Sequence, residues 1–95
     1  MIFAFFLLDR PGARELRLEK RPEHKEYLAK VGDQISFAGP LKNDDDSEMV
    51  GSLLVIDFPN REEAQKWMHN EPFYRYGVYA SASIYPFENL WHPKK

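Results

Sequence analysis

A histidine lies on the apolar stripe of an otherwise charged segment, EKRPEHKEYLAKVG (residues 19–32). Helical spacing from His24 brings Tyr27, Leu28 and Val31 onto its face, so this face is expected to pack against the rest of the protein. A half-buried imidazole that titrates near neutrality can take or give a proton, which makes His24 a candidate acid–base group. The structural alternative is a core histidine satisfied by one hydrogen bond.

Asp9 is a candidate carboxylate partner for this histidine. It continues the buried face of the first predicted strand, on which Phe3, Phe5 and Leu7 also lie. A carboxylate at the end of that strand can reach the next helix, orient an imidazole and stabilise its cation. The alternative is a turn, in which Asp9 bonds its own backbone before Arg10-Pro11-Gly12.

Three arginines precede His24 at steps of three and four residues: Arg14, Arg17 and Arg21. In one continuous helix they would line one edge and could hold an anionic substrate. Pro22 argues against that continuity, because proline disrupts a helix interior. We therefore predict Arg21 as a substrate-binding residue, and Arg14 and Arg17 as solvent-exposed.

Small residues at strand ends offer further candidates for lining a cleft. Gly39 and Pro40 end the second predicted strand, and Gly51 and Ser52 open the third. Glycine permits close approach of a ligand or of another strand, and proline requires an edge or a strand end. We take Gly39, Pro40 and Ser52 as candidate substrate-binding residues, with a structural role as the alternative. The acidic run at 44–46 lacks the glycine and distal glutamate of a calcium loop, so we predict a solvated turn and no metal.

Composition excludes several classes of function. The chain has 95 residues, a net charge of −2 and no cysteine, which excludes disulfides, thiolate catalysis and cysteine-ligated metals. A nucleic-acid partner is not expected without a basic excess. The opening MIFAFFLL lacks the basic start and the cleavage site of a signal peptide and is too short to span a bilayer. We expect a cytoplasmic protein with no cofactor and no membrane partner.

The apolar patterns alternate between strands and helices in the order β-α-β-β-α-β. This order predicts an α+β, ferredoxin-like fold, in which a four-stranded antiparallel sheet carries both helices on one face. The predicted strands span residues 2–8, 34–41, 50–58 and 78–87, one helix runs from near Pro22 to Gly32, and the second follows Asn60 with Ala64, Trp67 and Met68 on one face.

The second face of such a sheet lacks a covering layer. The first strand, IFAFFLL, is nevertheless apolar on both of its faces. A second subunit that packs sheet against sheet would cover it, so we predict a homodimer through the sheet face. An aromatic sheet face is also typical of RNA-binding modules, but the third strand, GSLLVID, lacks their basic glycine-aromatic signature.

Ordered motifs along nearly the whole chain resemble the YCII-related domain family, also called YciI-like. The motifs are RPEHKEYL (21–28), FAGPLKNDDD (37–46), GSLLVIDF (51–58), REEAQKWMHNEPFYRYGVY (61–79) and IYPF (84–87). The resemblance implies one YCII-related domain over residues 1–95, with a ferredoxin-like fold of the dimeric α/β barrel superfamily.

The resemblance also implies a site centred on a histidine and an aspartate. Its R-x-x-H motif falls on Arg21 and His24, and the aspartate carries over to Asp9. The family commonly has Asp-Pro-Phe after the second helix, where this chain has a glutamate, Glu71, so Asp9 and Glu71 both remain open as the partner. We predict an enzyme of the lyase or isomerase type that uses a His24–Asp9 dyad on an unknown small organic molecule. The alternative is a non-catalytic ligand-binding or protein-interaction module.

Overall fold

The secondary-structure elements follow the predicted order, with one additional short helix. A computed structural model describes residues 1–91 of the chain. A 3-10 turn joins the first helix to the second strand. The elements are β1 (Ile2–Asp9), α1 (Arg14–Ala29), β2 (Ile35–Lys42), β3 (Met49–Asp57), α2 (Arg61–His69), α3 (Pro72–Arg75) and β4 (Tyr79–Pro86).

The four strands form one antiparallel sheet in the order β2-β3-β1-β4. Alternate residues of β1, among them Phe3 and Phe5, are fully buried on the face that packs against the helices. Trp67 of α2 completes this core, with its ring 5.6 Å from that of Phe5. The α+β, ferredoxin-like prediction is therefore confirmed. No helix within residues 1–91 is long and apolar enough to cross a membrane.

Helix α1 is longer than predicted, because it runs unbroken from Arg14 to Ala29 with Pro22 inside it. Proline has no N–H, so the carbonyl of Leu18 loses its helical partner, which costs about 3 kcal/mol. Both Pro22 and Leu18 lie on the exposed side, where water can bond that carbonyl. Buried Arg17 and His24 hold the helix on either side of the proline. The prediction of a helix that starts near Pro22 was wrong.

Strand β4 contains a bulge, which interrupts the alternation of its side chains between the two faces of the sheet. Leu8 of β1 pairs with Ser81, but the next residue, Asp9, pairs with Tyr79. Ala80 is thus an extra residue in β4, and the side chains change face at this point. Tyr79 is buried and Ala80 is exposed, whereas uninterrupted alternation along β4 would place Tyr79 on the opposite face, with Ser81 and Tyr85.

The face of the sheet that the helices leave open carries large apolar side chains. We call this surface the open sheet face and define it by Phe6 and Leu8 of β1, Phe37 of β2 and Tyr85 of β4. These four side chains are between 45% and 59% exposed. Large apolar patches of this kind are rare on monomeric proteins and are typical of contact surfaces.

Gly51 allows the close approach of β3 to β1. It pairs with Leu8, and a Cβ at this position would press against the backbone carbonyl oxygen of Leu7, closer than Cβ atoms come to such an atom. The close neighbour of this glycine is therefore another strand and not a ligand.

We expect Gly51→Ala to lower the free energy of unfolding by about 1–3 kcal/mol, because the added methyl group forces two paired strands apart. Urea denaturation of the two proteins measures this difference. Gly39→Ala on β2 is the matched control, since a Cβ there meets no atom within 4 Å. Equal losses in the two variants would contradict the steric explanation.

Candidate functional site

A cavity of about 370 Å³ lies between α1 and the strands β2 and β3. His24 is part of its wall, as are all four residues predicted to bind substrate. Asp9, the predicted partner of His24, is not among the lining residues. The four predicted residues in the wall are Arg21, Gly39, Pro40 and Ser52.

The rest of the cavity wall is mostly apolar and carries positive charge. Leu28 of α1 and Leu54 of β3 contribute apolar surface, and α1 adds Arg17, Arg21 and Lys25. None of the residues in this wall is acidic. An apolar cleft with a few convergent cations is typical of a site for a small anionic organic molecule.

The imidazole of His24 is paired with a buried carboxylate, that of Glu71. Nδ1 of His24 hydrogen-bonds to Oε1 of Glu71, whose side chain is 0% exposed. A carboxylate oxygen accepts, so the bond assigns the ring proton to Nδ1. Nε2 makes no hydrogen bond to any residue in 1–91, so it can accept a proton whenever the ring is in its neutral form.

The short helix α3 positions this carboxylate. Glu71 is its N-cap, and Oε1 also accepts from the backbone N–H of Phe73 at 3.1 Å. Pro72 occupies the first helical position, where a missing N–H costs nothing. The Phe73 ring stacks on His24, with 4.0 Å between centroids and 8° between planes. The sequence signal for α3 is the Glu-Pro pair, an acidic cap followed by proline at the first helical position.

Asp9 pairs with Arg17 rather than with His24. Nε of Arg17 lies 2.7 Å from Oδ2 of Asp9, and Nη2 lies 3.2 Å from Oδ1. The same Nη2 donates to Oγ of Ser52 at 2.7 Å. Arg17 is 3% exposed, so the prediction that it faces solvent was wrong. The cause is the unbroken helix, which places Arg17 opposite the end of β1 and about 10 Å along the axis from His24.

Tyr79 is a residue of this region that sequence reasoning missed. Burial raises the pKa of its phenol, and the nearby Glu71 carboxylate raises that pKa further. Its hydroxyl and Oε2 of Glu71 are both buried without a partner within residues 1–91. Tyr27, by contrast, donates to the carbonyl of Trp67 at 2.7 Å.

The remaining sequence candidates lie outside this site. Arg14 is exposed and lies 3.6 Å from Glu48, as expected for a surface arginine. The acidic run forms a turn, in which hydrogen bonds from Ser47 lower the pKa of Asp45. In the described part of the chain no three His, Asp or Glu side chains cluster as a metal would require. His92 lies outside the described residues.

Comparison with known proteins gives consistent matches over nearly the whole chain. The sequence pattern of the YCII-related domain family matches residues 1–88. Protein YciI of Escherichia coli is 29% identical over 98 residues, which span 96% of this chain and 100% of the relative. A protein of Haemophilus influenzae is 28% identical over the same shares.

Among solved structures, 5-chloro-2-hydroxyhydroquinone dehydrochlorinase from Burkholderia phenoliruptrix matches with a TM-score of 0.85 and 27% identity. The match covers 93% of this chain and 94% of that chain, whose structure is a complex with 2,5-dihydroxybenzoquinone. The shared fold is that of the dimeric α/β barrel group.

We expect Asp9→Asn to lower the free energy of unfolding by about 3–5 kcal/mol, because it leaves the buried Arg17 guanidinium without a counter-charge. Chemical denaturation measures the loss. Arg14→Gln, which removes an exposed arginine of the same helix, is the control and should cost less than about 1 kcal/mol.

The same Asp9→Asn protein tests which acid holds the histidine. The ¹⁵N resonances of the His24 ring should move much less in Asp9→Asn than in Glu71→Gln, because Asp9 contacts Arg17 and Glu71 contacts the imidazole itself. The reverse pattern would restore the predicted His24–Asp9 dyad.

Proposed function

The chain belongs to the YCII-related domain family, and from this we propose that it is an acid–base enzyme for a small organic molecule. In this proposal His24 transfers the proton, and Glu71, in place of the predicted Asp9, orients the imidazole. The observation that carries the proposal is the hydrogen bond from Nδ1 of His24 to the buried carboxylate, in the wall of a cavity. A lyase or isomerase reaction fits such a site.

The reaction begins when Nε2 of His24 takes a proton from the substrate. The proton comes from a phenol or from a carbon next to a carbonyl group, and the electron pair of the broken bond moves onto the substrate oxygen. His24 becomes an imidazolium ion, which the Glu71 carboxylate stabilises through Nδ1. In an isomerisation His24 returns the proton at another atom; in an elimination of chloride the C–Cl electron pair leaves with chloride, the electron pair on the substrate oxygen forms the new double bond, and the proton passes from His24 to water.

Arg21 is the residue we assign to the negative charge of the substrate. It lines the cavity and is exposed, and no carboxylate pairs with it in the described part of the chain. Arg17 also lines the cavity, but Asp9 and Ser52 already engage its guanidinium. We therefore assign Arg17 to the shape of the wall and Arg21 to anion binding.

The class of substrate we propose is a hydroxylated ring compound that carries a negative charge. A cavity of about 370 Å³ is large enough for one ring with its substituents. The apolar wall favours an apolar body, and the cations of α1 favour an anion. The similar dehydrochlorinase, named for a chlorinated hydroxyhydroquinone, supports the same class.

We further propose a homodimer that packs through the open sheet face. This face carries four large and partly exposed apolar side chains, and the fold is that of the dimeric α/β barrel group. Burial of apolar surface favours association, and a second copy with the same face supplies the matching apolar surface in a symmetric dimer.

The catalytic proposal is tested with two probes, 2,5-dihydroxybenzoquinone for binding and 5-chloro-2-hydroxyhydroquinone for chloride release. We expect binding to shift the NMR resonances of cavity residues and Arg21→Gln to weaken it. His24→Gln should lower turnover about 100- to 10,000-fold, since that is the usual contribution of a proton-transfer group. His69→Gln, a histidine outside the cavity wall, is the control and should leave turnover unchanged.

Two results would contradict this function. Full turnover in His24→Gln would remove the histidine from the chemistry. Binding of the quinone without turnover of any ring compound tested, together with a loss of stability in His24→Gln, would favour the non-catalytic ligand-binding module.

We expect Phe6→Lys to convert the dimer to a monomer, because it places a charge in the centre of the open sheet face. Sedimentation equilibrium measures the mass of the two proteins. Leu18→Lys is the matched control, since Leu18 of α1 is 48% exposed against 45% for Phe6. A wild-type monomer, or a dimer that only Leu18→Lys disrupts, would contradict the interface.

A further inference from the structure

Two buried polar atoms have no hydrogen-bond partner in residues 1–91: Oε2 of Glu71, the residue paired with His24, and the hydroxyl of Tyr79. Glu71 is 0% exposed and Tyr79 is 7% exposed, so bulk water does not satisfy them. A buried polar group without a partner costs about 1–3 kcal/mol, and more when it is charged. One atom is an acceptor and the other belongs to a donor, so each can satisfy the other.

The Tyr79 hydroxyl makes no hydrogen bond within residues 1–91, and both Glu71 and Ser52 are close enough to act on its phenol. The two neighbours act on its phenol in opposite directions, since hydrogen bonding with Ser52 lowers its pKa and with Glu71 raises it. A donor to the phenol oxygen stabilises the phenolate, whereas an acceptor of its proton stabilises the phenol. An ionised carboxylate can only accept, so Glu71 is the acceptor from Tyr79, and Ser52, whose oxygen already accepts from Arg17, is the donor to it.

We propose that Tyr79 is a positioning residue for His24, because its O–H donates to Oε2 of Glu71 and thereby holds that carboxylate against the imidazole. This inference rests on the proposed function. Tyr79 does not line the cavity and makes no hydrogen bond to His24. In this inference it acts on His24 only through Glu71.

The proposed bond completes a directed chain of hydrogen bonds. Arg17 donates to Oγ of Ser52 at 2.7 Å, which leaves the Ser52 proton free to donate to Tyr79. Tyr79 then donates to Oε2 of Glu71, and His24 donates to Oε1. Each hydroxyl in this chain donates once and accepts once, as its chemistry allows. The Asp9–Arg17 pair thus connects to the proton-transfer group.

The bulge in β4 brings the phenol of Tyr79 to this position. The bulge at Ala80 turns Tyr79 from the open sheet face to the helix face of the sheet. There its ring meets the edge of Phe73, with 6.0 Å between centroids and 89° between planes. Without the extra residue, Tyr79 would point away from Glu71.

The test follows the Nδ1 proton of His24 by NMR, as a low-field resonance whose exchange with water can be timed. We expect Tyr79→Phe to speed this exchange about tenfold or more, because the carboxylate loses a charge-assisted hydrogen bond. Ser52→Ala should change it in the same direction by less. Tyr27→Phe is the matched control, since it removes a hydroxyl bonded to Trp67 instead of Glu71, and it should leave the resonance unchanged.

The outcomes separate this inference from the proposed function. Unchanged exchange in both Tyr79→Phe and Ser52→Ala, with the resonance lost in Glu71→Gln, would overturn the role of Tyr79 and leave the His24–Glu71 pair intact. A His24 ring that responds to none of these changes, Glu71→Gln included, would overturn the pair itself. Tyr79→Phe retains the ring that packs on Phe73, and a thermal unfolding curve verifies that this variant is folded. If it is not folded, the exchange rate in Ser52→Ala decides the inference.

Discussion

The constraint on which the site depends is the burial of a carboxylate. A fully buried Glu71 must be paired and hydrogen-bonded, because an isolated charge in the interior costs several kcal/mol. His24 of α1 and the backbone N–H of Phe73 supply two of its bonds. The same carboxylate caps α3, so one side chain fixes the short helix, the stacked ring of Phe73 and the angle of the imidazole. A change in any of these elements alters the others.

Much of the fold could be predicted from the sequence, because its signals are local. The alternation of Phe3, Phe5 and Leu7 identifies the buried face of the central strand. Asn60 caps α2 as expected, with Oδ1 accepting from the N–H of Glu63 at 2.9 Å. Periodicity and cap chemistry depend on residues a few positions apart, so they can be recognised in the sequence without a structure. The lining of the cavity by Arg21, Gly39, Pro40 and Ser52 follows from that order of elements.

The pairing of the charged residues could not be predicted, because it depends on tertiary packing that overrides local rules. Pro22 predicts a helix boundary, yet packing of Arg17 and His24 on either side of it keeps α1 continuous. The bulge at Ala80 cannot be predicted from the residues of β4 alone, because it is defined by how β4 pairs with β1. Both features move a polar side chain inward, Arg17 in the first case and Tyr79 in the second. The first displacement pairs Arg17 with Asp9, and the acid that faces His24 is Glu71.

The two buried pairs, Asp9–Arg17 and Glu71–His24, differ in whether the basic partner can lose its proton. A guanidinium cannot lose its proton in a protein, so buried Arg17 needs a permanent anion and receives Asp9 with two hydrogen bonds. An imidazole exists in neutral and charged forms, so the His24–Glu71 pair can hold one proton more or less without losing its hydrogen bond. The first pair is therefore fixed and holds α1 on the sheet. The second pair lies in the cavity wall, and its imidazole is the group to which we assign proton exchange with a ligand.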